Sequence, residues 1–150
     1  MYSEYEDVEA IKRLKARYFR CMDMKDWAGF EAVFTTDATF ESTSPVKEVT
    51  RGASAIVKWV RAALGEAVTV HHGHMPEIEL TSPTTASGVW AMEDLIWWPA
   101  ATPIAWPAIG PVPHLHGYGH YHETYIKDDR GTWRIATVEL TRIRRERTEF

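Results

Sequence analysis

The chain has 150 residues, with 17 Lys and Arg against 21 Asp and Glu, a formal charge of −4, a single cysteine and 12% aromatic residues. That length buries one core without a staple, and the charge offers no general attraction to nucleic acid or to an anionic membrane. Lone Cys21 excludes an internal disulfide and a thiolate metal cluster, and the acidic N-terminus and lack of a span-length apolar run predict one soluble, cytoplasmic domain over 1–150.

Val8, Ile11, Leu14 or Lys15, Tyr18 and Cys21 or Met22 recur at three and four, which predicts an amphipathic helix over about 5–22 with Asp23 at its end. Cys21 on that apolar face is expected to be a small buried hydrophobe. Asp26, a favoured N-cap type, precedes Trp27, Phe30, Val33 and Phe34, a shorter helical face expected to stop near Thr35-Thr36-Asp37. A strand from Ala38 to Ser42 and a polar turn follow. Beyond Gly52, the spacing of Ile56, Val57, Val60 and Leu64 predicts a third helix closed by Gly65 as a C-cap glycine. Four strand-like segments complete the chain: Val68–Leu80, Ala86–Trp98, His114–Ile126 and Thr132–Ile143. Helices first and strands afterwards predict an α+β fold, three N-terminal helices packed on a mostly antiparallel sheet.

Between the second and third of these strands, Pro99, Pro103, Pro107, Pro111 and Pro113 punctuate a link that carries Ile104, Trp106 and Ile109. A link this long and apolar is expected to be an ordered flap, either a lid over a pocket or a contact with a neighbouring subunit, with Trp106 buried. The basic tail, Arg142, Arg144, Arg145 and Arg147, is interrupted by Glu146 and is expected to be a solvated strand end.

Three of the seven histidines fall within VHHGHMPEI, at His71, His72 and His74. Two histidines on one strand face could begin a metal site, but no HExxH-like or cysteine-containing spacing supplies the rest. No metal and no cofactor are expected.

The ordered segments YFRCMDMKDW, FEAVFTTDATF, RGASAIVKWV, VHHGHMPEIEL and GHYHETYIKDDRGTWRI resemble the SnoaL-like branch of the NTF2-like superfamily over nearly the whole chain. The resemblance implies a cone in which a curved sheet wraps three helices around an apolar pocket. It also implies a likeness to scytalone dehydratase, bile-acid 7α-dehydratase and LinA-type dehydrochlorinases, in which an Asp ending the first helix orients a His that removes a proton. On this chain those residues are Asp23 and His71. The two carbonyl-polarising tyrosines of scytalone dehydratase fall on Met22 and Ser42, its second histidine on Tyr118 or His116, and the arginine of the LinA type on about Val138.

Such a pair suits proton abstraction, because imidazole is a neutral base near pH 7 and a carboxylate on its other nitrogen fixes the tautomer. Tyr18, Ser42, Trp90 and the even-numbered row His116, Tyr118, His120 are the candidates for substrate contact. Met22, Phe34, Phe40, Val60 and Met92 are the expected pocket wall. Alternation turns His71 inward and His72 outward, and a bulge at Gly73 and Pro76 would reconcile His71 with apolar Ile78.

The function expected is that of a small-molecule lyase or isomerase, dehydratase-like, acting on an apolar cyclic substrate of polyketide, steroid or aromatic type. The alternatives are a non-catalytic ligand-binding module and a polyketide cyclase working through a carboxylate. Contact between His71 and Asp23 at the floor of an open pocket favours the enzyme, and a filled cone favours the module. Apolar groups on both faces of two strands further predict a homo-oligomer, a trimer or a dimer.

Overall fold

A computed structural model describes residues 3–42, 47–99 and 114–148. The stretch with Ile104, Trp106 and Ile109, on which the flap was expected, lies outside them.

Helix α1 (Glu4–Asp23) starts on a capping box, in which the Ser3 hydroxyl accepts from the Glu6 N–H at 3.3 Å and the Glu6 carboxylate accepts from the Ser3 N–H at 2.7 Å. Two donors that a helix start leaves open are thereby satisfied. Its stripe Ile11, Leu14, Tyr18, Cys21 and Met22 is buried, as the periodicity predicts. Asp26 caps α2 (Trp27–Ala32), accepting from the Gly29 N–H at 3.0 Å. This helix is shorter than expected. Strand β1 (Phe34–Ser42) already includes Phe34, and the Ile135 N–H bonds the Val33 carbonyl at 2.9 Å. The β-branched pair Thr35-Thr36 and the available strand partner favour extended backbone over another helical turn.

A four-residue strand, β2 (Glu48–Arg51), has no clear signal in the sequence. Gly52 and Gly65 bound α3 (Ala53–Leu64), both at positive φ, +92° and +53°, where an L side chain would be strained. Then come β3 (Val68–Ser82), β4 (Thr85–Trp97), β5 (His114–Lys127) and β6 (Trp133–Thr148), the last running past Ile143. Together the strands form one open six-stranded sheet in the order β2-β1-β6-β5-β4-β3. Among the described residues only the β1–β6 pairing is parallel. Register shifts at Gly73/Pro76, Tyr118/Gly119 and Thr124/Tyr125 bend the strands locally. All three helices bury their apolar faces in the core shared with the inner sheet face, and α1 lies against β3 while α3 lies against β1.

Among the described residues no helix is long and apolar enough to cross a membrane.

Candidate active site

Alternation along β3 turns Thr69 and His71 inward, where both are buried, and leaves His72 and His74 exposed. The register shift between Gly73 and Pro76 then changes the parity, so that Ile78 and Leu80 pack against the core. His71 thus meets the end of α1. Its ring Nδ1 lies 2.6 Å from Asp23 Oδ1, and its backbone N–H donates to Asp23 Oδ2 at 2.9 Å. With a carboxylate as partner, Nδ1 carries the proton and Nε2 is left as the basic nitrogen. Phe19 fixes the ring plane from one side, stacked at 6.3 Å and 14°.

Across the sheet, His71 is in register with Asp94 on β4, which is in register with Gly117 on β5. Asp94 binds the Arg142 guanidinium through two hydrogen bonds, 2.7 and 2.8 Å. Burial pushes the Asp94 carboxyl up, but the charge and hydrogen bonds of Arg142 outweigh it and leave the group below its ordinary value, with His71 adding in the same direction. The Arg142 side chain is only 6% exposed. For Arg142 this corrects the expectation of a solvated tail, since it follows Leu140 on the inner face and finds a buried partner there, whereas Arg144 and Arg147 are exposed.

Gly117 makes this pair possible, since a Cβ at that position would overlap Asp94 Oδ1 and Arg142 Nη1. Gly117→Ala is therefore expected to destabilise the fold by about 1–3 kcal/mol, the usual cost of overpacking, and a urea midpoint unchanged from wild type would contradict this.

His71, Asp94 and Arg142 line one cavity with Tyr18, Met22, Phe40, Trp59, Val60, Ala63, Leu64, Ile96, Tyr121 and Leu140. Its free volume is about 40 Å³, room for ordered water but well below the several hundred Å³ of an ordinary small-molecule site. A substrate can enter only if wall side chains move. A larger open groove of about 700 Å³ crosses the outer sheet face beside Glu41, Glu77, Glu79 and Glu139, but neither His71 nor Asp23 reaches it.

Tyr18, Met22, Phe40 and Val60 line the cavity with His71. Phe34, Ser42, Trp90 and Met92 are buried but belong to the core and not to the cavity wall. Trp90, for instance, donates its indole N–H to the Tyr125 hydroxyl at 2.8 Å, and Phe34 packs edge-on against Phe30. The row His116, Tyr118, His120 is corrected outright. The inner row of β5 is the odd one, Leu115, Gly117, Gly119, Tyr121, Glu123 and Tyr125, so the even row lies on the outer face. There His116 binds Glu93 at 2.6 Å and stacks on Tyr118.

Sequence reasoning missed Asp94, Arg142, Tyr121 and Trp59. A signal existed for Asp94, an acid in phase with Trp90, Met92 and Ile96.

Behind the wall, Lys15 and Glu123 form an ion pair with both side chains at 0% exposure, and the Lys15 ammonium lies 3.6 Å from the Tyr18 ring centroid and 3.7 Å from that of Tyr121. Burial lowers the Lys15 ammonium to about 8, against the upward pull of Glu123. Among the described residues, no three His, Cys, Asp or Glu side chains converge to hold a metal.

The sequence profile of the SnoaL-like domain matches residues 3–139. The chain belongs to the SnoaL-like family. It is 28% identical over 149 residues to a probable cyclase of Gibberella zeae, covering 92% of each chain. A putative scytalone dehydratase from Novosphingobium aromaticivorans has the same fold, with TM-score 0.79 and 21% identity over 97% of this chain and 90% of that one. So does a LinA-type hexachlorocyclohexane dehydrochlorinase from Novosphingobium barchaimii, with TM-score 0.76 and 14% identity over 97% and 94%. Membership in this family agrees with the resemblance of its motifs.

Proposed function

We propose that this SnoaL-like chain is a cofactor-independent lyase of dehydratase type acting on an apolar cyclic ketone. The observation that carries the reading is the 2.6 Å contact between His71 and Asp23 on the edge of an apolar cavity. His71 Nε2 takes the proton from the carbon beside the carbonyl, and the C–H electron pair becomes an enolate. The enolate expels the β-hydroxyl, which leaves as water with the proton returned from the imidazolium. Asp23 holds the imidazole in the productive tautomer and stabilises the charge that forms. Two phenols, Tyr18 and Tyr121, and the Arg142 guanidinium line the same cavity and are the donors available to the enolate oxygen. Burial raises both phenols above their ordinary value, with the carboxylates of Asp94 and Glu123 adding to it, which keeps them neutral donors.

A cyclase of the carboxylate type would need a free acid on the inner face. Asp94 is engaged by both guanidinium N–H groups and is a poor proton carrier, which favours His71. One observation favours a binding module instead, the 40 Å³ of free volume.

The discriminating experiment offers a panel of alicyclic and polycyclic β-hydroxy ketones with no added cofactor and follows enone absorbance. Turnover that survives a chelator supports the lyase. Saturable binding of ketones recovered unchanged throughout the panel would favour the module.

A further inference from the structure

Asp23 does not meet His71 alone. Its Oδ1 also accepts from the Thr69 hydroxyl at 2.8 Å, and the Thr69 oxygen in turn accepts from Lys25 Nζ at 3.0 Å. The series Lys25–Thr69–Asp23–His71 connects a surface groove of about 420 Å³, lined in part by Asp23, Lys25, Arg61 and Glu66, with the inner cavity that His71 lines. Lys25 also has φ +59°, and among the described residues it is the one non-glycine at positive φ. Glycine takes that conformation without penalty and lysine does not. Strain kept at a position whose side chain is linked through Thr69 to the carboxylate behind a candidate base is a pointer to function.

The chemistry of the pair supplies the reason. A carboxylate against an imidazole favours the imidazolium, and an imidazolium cannot accept a proton. A cation on the far side of the carboxylate offsets that preference while the carboxylate still fixes the tautomer. The charged groups around the pair are Asp23 and Lys25 from the end of α1 and its turn, Arg61 and Glu66 from the end of α3, Arg145 from β6, and Asp94 and Arg142 from β4 and β6. The last two neutralise each other through their paired hydrogen bonds. Burial lowers the Lys25 ammonium, against the upward pull of Asp23 and Glu66.

We infer that Lys25 is a positioning residue of the proton-abstracting pair: through Thr69 it orients the Asp23 carboxylate, and its charge favours the uncharged, proton-accepting form of His71. The inference rests on the reading of His71 as the base. Its test does not need a substrate. Ring ¹H–¹⁵N spectra are recorded against pH for the wild type, Lys25→Met, Lys25→Arg and Lys25→Gly, with the His71 signals assigned by their loss in His71→Gln.

Removing the cation should move the His71 transition to higher pH by about half a unit, roughly threefold in protonated fraction, in both Lys25→Met and Lys25→Gly. Lys25→Arg should leave it near the wild-type position. Lys25→Gly relieves the backbone strain, so its melting temperature should equal or exceed the wild type's while the titration still moves. A transition that stays put in both Lys25→Met and Lys25→Gly shows that Lys25 only shapes the turn and overturns the inference. Full activity in His71→Ala overturns the proposed reaction instead, and the titration separates the two failures.

Discussion

His71→Ala lowers turnover by about 10²- to 10⁴-fold with little change in KM, the range that a positioned general base contributes. The substitution removes the one ring nitrogen that faces the cavity with a carboxylate behind it, and it leaves Asp23 bonded to Thr69 at 2.8 Å. The apolar wall that would hold a substrate is unchanged, so the loss should fall on kcat. Asp23→Asn should act in the same direction, because an amide can offer its NH₂ to Nδ1 and stabilise the wrong tautomer. His74 lies on the outer face with a side chain 55% exposed, and His74→Ala should leave turnover within experimental error of wild type. Steady-state kinetics on the three variants checks the set. Turnover in His71→Ala within a few-fold of wild type would remove His71 as the base.

Lys15→Met lowers the unfolding free energy by about 3–5 kcal/mol, as removal of one member of a buried ion pair does. Glu123 is fully buried and accepts from the Lys15 ammonium through Oε1 and from the Tyr125 hydroxyl through Oε2 at 2.6 Å. Without the ammonium, the carboxylate keeps one neutral donor in a site that water does not reach, and the Tyr18 and Tyr121 rings lose the cation between them. The double variant Lys15→Met with Glu123→Leu should recover most of that loss, because apolar side chains often replace a buried pair at no net cost. Urea unfolding of the wild type, the single and the double variants measures both effects. A single variant as stable as the wild type would mean that the pair adds nothing.

Much of the fold could be read from the sequence because its signals are local. The 3-and-4 spacing through Ile11, Leu14 and Tyr18, the Asp26 cap and the Gly65 stop each act within a turn of chain. His71 and Asp23 were placed together by the resemblance of their motifs, since residues 48 apart leave no local trace of contact. Strand β5 misled for a physical reason. Its inner row includes Gly117 and Gly119, which carry no hydrophobic signal, and it is glycine there because Asp94, Arg142 and the Thr141 backbone occupy the space. Aromatic and imidazole side chains on the outer row therefore looked like the functional face. Arg142 was hidden by its setting, as a charge among charges reads as solvated until β4, on the far side of β5, supplies Asp94.

Hydrogen exchange at carbon tests the central claim most directly, since it reports proton abstraction whatever the leaving group. Alicyclic and polycyclic ketones are incubated with the protein in D₂O, and deuterium gain beside the carbonyl is followed by ¹H NMR. The account predicts exchange of at least one ketone well above the buffer rate, lost in His71→Ala and kept in His74→Ala. Exchange that continues undiminished in His71→Ala would contradict it.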